Sequence, residues 1–150
     1  MTQKNIRVFL DTSVIFAAVL SADGGARQLF RLAEAGVVQL LVGASVLREA
    51  EEVTRRKAPA SLATLARLLH VANIEVCADP DAAEIAAASR NVQYPPDAQV
   101  LAEAIRARPD WFVSHDKEHF LKRVEDFNFA FSIGTPGDAL QFIRDSFSKL

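Results

Sequence analysis

Apolar residues along this chain alternate between short continuous runs and helically spaced sets. Ile6, Val8, Phe9 and Leu10 make a brief β-branched and aromatic run that predicts a buried strand, and the run ends on Asp11, Thr12 and Ser13. Val14 to Leu20 follows as an apolar helix, and Ser21-Ala22-Asp23-Gly24-Gly25 is a break. Leu29, Phe30, Leu32 and Ala33 recur at helical spacing over 26–35, with Gly36 placed as the C-terminal stop. Residues 37–42 predict a second strand, and Ser45 is the expected N-cap of a helix over 46–57. Strand, helix and strand in this order predict a βαβ unit with parallel strands.

The pattern continues. Pro59 opens a helix that buries Leu62, Leu65, Ala66, Leu68 and Leu69, and residues 73–77 predict a third strand. Asp79 before Pro80 is the expected cap of an alanine-rich helix over 82–89. Tyr94-Pro95-Pro96 is expected to interrupt the chain before Asp97 opens a helix bearing Val100, Leu101, Ala104 and Ile105. The strand Trp111-Phe112-Val113 then delivers Ser114-His115-Asp116, as the first strand delivers Asp11, and a helix over 117–124 follows. Residues 127–133 predict an edge strand, and Thr135-Pro136-Gly137-Asp138 fits a capping box before a closing helix.

A chain of 150 residues, half of them apolar, suits one compact domain over 1–150. The formal charge of −2 neither marks nor excludes a nucleic-acid binder, because a local basic patch can coexist with clustered acids. Cys77 is the sole cysteine, so an internal disulfide and a thiolate zinc site are both excluded. No run resembles a signal peptide or a membrane span, and the expected setting is a soluble, cytoplasmic one.

Chemistry concentrates at one predicted sheet edge. Asp11 and Asp116 directly follow strands, while Glu49 and Asp97 are expected in the first turns of helices. In a parallel sheet the strand carboxyl ends and the following helix amino ends share an edge, which is where such sheets bind ligands. Taken singly, each acid reads as a cap or a solvated charge. Taken together they repel, and a divalent cation resolves the repulsion. Oxygen donors suit Mg²⁺ or Mn²⁺ rather than Zn²⁺. His115 and His119 read as ordinary residues of the adjoining loop and helix. Helical periodicity does not choose between Glu49 and Glu51, and it turns Glu52 and Arg55 away from the apolar face.

The segments Val8-Phe9-Leu10-Asp11-Thr12-Ser13-Val14, Ser45-Val46-Leu47-Arg48-Glu49, Pro96-Asp97-Ala98-Gln99-Val100-Leu101-Ala102 and Trp111-Phe112-Val113-Ser114-His115-Asp116-Lys117 resemble the PIN-domain nucleases. Among these, the resemblance is to the VapC-like toxins of type II toxin-antitoxin pairs. It covers nearly the whole chain, including Ile133-Gly134-Thr135-Pro136, and departs at Pro96, where many relatives carry a second acid. It implies a three-layer α/β/α fold with a mainly parallel sheet of about four to five strands.

The resemblance also implies an acidic quartet of Asp11, Glu49, Asp97 and Asp116, which settles the choice of Glu49 over Glu51. Ser13 would assist the first acid, and Glu118 would be an outer ligand. The implied activity is an Mg²⁺- or Mn²⁺-dependent endoribonuclease leaving 5′-phosphate and 3′-hydroxyl ends, with Arg48, Arg56, Lys117 and Lys122 as candidate RNA contacts. A homodimer and an inhibitory antitoxin are the implied partners. Two other classes compete. One is a non-catalytic PIN-like module binding RNA or protein, against which the complete quartet argues. The other is a phosphoryl-transfer domain, disfavoured because Ser13 stands where an aspartyl phosphatase needs its second Asp.

Overall fold

The computed structural model describes residues 5–92, 94–116, 120 and 129–149. Strand β1 (Ile6–Leu10) is followed by α1 (Thr12–Leu20) and α2 (Gly25–Glu34), then by β2 (Val38–Val42). Next come α3 (Ala44–Lys57), a 3₁₀ turn (Pro59–Ser61), α4 (Leu62–Val71) and β3 (Glu75–Val76). The chain continues through α5 (Ala82–Ser89), α6 (Pro95–Ala107), β4 (Trp111–Val113), β5 (Ser132–Gly134) and α7 (Pro136–Ser148). The five strands form one sheet in the order β3-β2-β1-β4-β5. Every pairing is parallel, with Phe9 opposite Leu41 on one side of β1 and Phe112 on the other.

This order places the functional edge. The chain winds outward from β1 through β2 to β3, then returns to lay β4 against the other side of β1. Right-handed crossovers in opposite directions send their helices to opposite faces, so a crevice opens beyond the carboxyl ends of β1 and β4. Asp11 follows β1 and Asp116 follows β4, one residue and three residues past the strand ends.

The central strands are buried on both faces, as expected for a parallel sheet covered by helices. Val8, Phe9, Leu10, Leu40, Leu41, Phe112 and Val113 are all inaccessible to solvent. Phe9 stacks on Phe112 with ring centroids 5.6 Å apart, and Phe120 tilts against Phe112 at 4.9 Å. Each such buried aromatic contributes roughly 1.5–3 kcal/mol of transfer free energy.

Helix ends explain several boundaries. Gly36 adopts φ +78 after α2, the Gly36 N–H donates to Ala33 O, and the Val37 N–H donates to Leu32 O, a Schellman stop that confirms the expected role of this glycine. The capping box of Thr135 and Asp138 on α7 also forms as expected. Four expectations are corrected. The α5 cap is Asp81, not Asp79, because Asp81 and Glu84 exchange reciprocal side-chain bonds. Pro95 and Pro96 do not interrupt the chain but begin α6, where their missing N–H groups have no intrahelical partner to lose. The N-cap of α3 is Gly43, and Ser45 lies inside the helix. Of the last strand expected over 127–133, residues 129–131 are not in strand and β5 runs Ser132–Gly134, while 127 and 128 lie outside the described residues, as does the helix expected over 117–124 except at Phe120.

Candidate active site

Asp11 is both a cap and the centre of the site. Its backbone is extended, and its Oδ1 accepts the Thr12 N–H at 2.8 Å, closing the first turn of α1. Its Oδ2 accepts the hydroxyls of Ser114 at 2.7 Å and Ser13 at 3.0 Å. Only 8% of the residue is exposed. Burial pushes the Asp11 carboxyl above its ordinary value, outweighing the hydrogen bonds from Ser114, Ser13 and the Thr12 N–H, and the charge on Asp116 pushes the same way.

These hydroxyls join the neighbouring acids into one network. Ser114 Oγ accepts the Asp116 N–H at 2.9 Å while donating to Asp11, so one buried side chain aligns the ends of both β1 and β4. Ser13 Oγ accepts the His115 N–H at 3.0 Å, tying α1 to the same loop. Thr12 Oγ1 donates to Glu49 Oε2 at 3.2 Å, linking α1 to α3. Ser13 thus bonds both Asp11 and the loop after β4. Ser114 and Thr12 carry equal structural weight, and the signal for Ser114 was a serine immediately after an apolar strand.

A cavity of about 720 Å³ lies over this edge. Asp11, Glu49, Asp97 and Asp116 all line it, as does Ser13. Asp97 sits in the first turn of α6, only 9% exposed, with its Oδ2 shielded from solvent. Glu51, the rival of Glu49, instead pairs with Arg55 on the outer side of α3. Arg56 lines the cavity with Lys57 and with the unanticipated Glu52 and Tyr94, and His115 joins them. Glu52 does point away from the apolar face, but that direction leads to the cavity mouth. Arg48 is exposed on α3 and does not line the cavity. Glu118, Lys117 and Lys122 lie outside the described residues.

The donor set is one of oxygens. Among the described residues no group of three or more His, Cys, Asp or Glu side chains is arranged to hold a metal ion. Mg²⁺ binds through one or two carboxylates and keeps several waters, so it suits acids that share a wide cavity without closing on one point. A cation beside Asp11 would also offset the burial that disfavours its charge.

Comparison with known proteins agrees with this architecture. A family model described as PIN domain matches residues 7–118. No curated protein matches the chain. The fold is similar to VapBC2 from Rickettsia felis, solved bound to a DNA fragment from its promoter, with a TM-score of 0.60 at 14% identity over 85% of this chain and 97% of that one. It is also similar to VapC20 of Mycobacterium tuberculosis, described as a Sarcin-Ricin loop cleaving toxin, with a TM-score of 0.52 at 17% identity over 74% of this chain and 91% of that one. With the family model spanning the strands and helices that bring Asp11, Glu49, Asp97 and Asp116 to one cavity, the chain belongs to the PIN-domain family.

Proposed function

We propose that this PIN-domain protein is a metal-dependent endoribonuclease acting as the toxin of a toxin-antitoxin pair, with residues 1–150 as one working domain. The observation that carries the reading is the joint lining of one cavity by Asp11, Glu49, Asp97 and Asp116. The likeness to a toxin described as cleaving the Sarcin-Ricin loop supports the substrate class.

Asp11, Asp97 and Asp116 would hold Mg²⁺ or Mn²⁺, with Glu49 reaching it through water. When bound, such a cation lowers the pKa of a water and offsets charge building on the scissile phosphate. The chain's own residues do the rest. Ser13, Ser114 and the Thr12 N–H fix the Asp11 carboxylate in one orientation, and Thr12 holds Glu49 toward the cavity, where it can take a proton from an attacking water. Arg56 and Lys57 on α3 supply positive charge for the RNA backbone, and Arg48, Lys117 and Lys122 are further candidate contacts. Tyr94, 55% exposed at the mouth, offers an aromatic face to an unstacked base. Glu118 would act as an outer ligand. The setting would be cytoplasmic, with a homodimer and an antitoxin as partners; among the described residues no helix is long and apolar enough to cross a membrane.

The second reading, a non-catalytic module binding RNA or protein, draws on the lack of a ready-made metal group among the described residues. Calorimetric titration with Mn²⁺ separates the two, comparing wild type with Asp11→Asn and Asp97→Asn while new RNA 5′ ends are mapped in a host expressing each. Mn²⁺ binding and new 5′ ends with wild type alone are expected. A wild type that binds no Mn²⁺ and generates no new ends would leave the binding module as the better account.

A further inference from the structure

Glu103 is a carboxylate inside the protein, 1% exposed, on a helix whose neighbouring residues are mostly alanine and leucine. The Ser45 N–H donates to its Oε2 at 3.1 Å, and Ser45 Oγ donates to its Oε1. Ser45 is the second residue of α3, so its N–H is one of the donors that a helix start leaves without an intrahelical acceptor. The α3 cap, Gly43, has no side chain to accept it. Glu103 therefore caps α3 from another helix, and its negative charge lies where the α3 dipole favours it. Gly43 makes the approach possible, since a Cβ there would collide with the Glu103 carboxylate.

The two helices joined in this way carry two of the cavity acids. Glu49 stands four residues after Ser45, one turn further along α3 on the same side. Asp97 stands six residues before Glu103, between one and two turns back along α6. We propose that Glu103 is a positioning residue: by clamping the start of α3 to the body of α6, it sets the placement of Glu49 relative to Asp97 across the cavity. The inference rests on the nuclease reading and goes beyond it, since Glu103 itself does not line the cavity.

The test compares wild type, Glu103→Gln, Ser45→Ala, Glu49→Gln and the Glu103→Gln/Glu49→Gln double variant. Each is checked for folding by circular dichroism, then measured for Mn²⁺ affinity by calorimetry and for kcat and KM on RNA. Glu103→Gln is expected to weaken Mn²⁺ binding several-fold and lower kcat about tenfold, with KM within about twofold. Ser45→Ala, which keeps the backbone N–H bond, is expected to move both quantities the same way by about threefold, and it carries the test if Glu103→Gln does not fold. In the Glu49→Gln background, Glu103→Gln should cost less than about twofold further in either quantity, because it acts through Glu49. Losses that multiply fully with those of Glu49→Gln, or folded variants with unchanged Mn²⁺ affinity and kcat, overturn the positioning role and leave the nuclease reading standing. A wild type that neither binds Mn²⁺ nor cleaves overturns the nuclease reading, and the inference with it.

Discussion

Ser114 Oγ lies 2.7 Å from Asp11 Oδ2, a bond between residues 103 positions apart in the chain. It exists because β1 and β4 are parallel neighbours whose carboxyl ends stop together, with Leu10 opposite Val113. Ser114→Ala removes this buried donor and leaves the Asp116 N–H without its Ser114 acceptor. A loss of about 1–3 kcal/mol in urea unfolding is expected, with weaker Mn²⁺ binding in calorimetry. An alanine variant as stable as wild type would show that the bond contributes nothing net.

In metal-free protein the raised pKa of Asp11 gives a pH dependence of definite sign. The group's stabilising contribution is fully present below its unfolded value, about 3.9, and is lost as pH rises through the higher folded value. Asp11→Asn keeps a capping side chain and removes the charge, so it should gain stability over wild type as pH rises from about 4 to 7. Urea unfolding at both pH values in the presence of chelator measures this. Mn²⁺ at about a hundred times its Kd should then stabilise wild type by about 2.7 kcal/mol and the variant far less.

Cys77 is half-buried beside Glu75, and burial first, then the Glu75 charge, pushes its thiol up to about 11. At pH 8 roughly one part in a thousand is thiolate, so a disulfide reagent should modify the native protein far more slowly than the unfolded chain. Stability linked to this thiol is present below about 9 and lost as pH rises through about 11. Modification at equal rates in both states would contradict the environment described.

Gly43→Ala drives a methyl group into the Glu103 carboxylate. Since both are buried, the carboxylate must abandon Ser45, and a loss of about 2 kcal/mol in thermal or urea unfolding is expected. A neutral effect would mean that α3 and α6 can separate without cost.

Tyr94→Ala removes the one tyrosine, exposed at the cavity mouth. Base stacking on such a ring contributes about 1–3 kcal/mol, so KM for single-stranded RNA should rise about tenfold with kcat little changed. An equal fall in kcat at unchanged KM would instead assign the ring to the chemistry.

The elements were legible in the sequence because each is written by local spacing. The run from Ile6 to Leu10 ending on Asp11, the helical repeat before Gly36 and the Thr135-Asp138 box depend on neighbours a few residues away. The α3 cap was misread for the same reason. Ser45 is a good local cap, yet its N–H and hydroxyl both reach Glu103, 58 residues on. Glu103 carried no local signal, being an acid in the interior of an alanine-rich helix that reads as a solvated charge until α6 is seen against α3.

By itself, then, the sequence determined the order of the described strands and helices and that Asp11 would follow a strand directly and Asp116 another at a short distance, since periodicity and turn chemistry are short-range. Only the tertiary structure decided that Asp97 shares a cavity with them, that Ser114 grips Asp11, and that Arg56, Lys57 and Tyr94 line the same opening while Arg48 does not. Those facts depend on which strand returns to the free side of β1 and how α3 and α6 meet. Both are set by burial and crossover handedness acting over the whole chain.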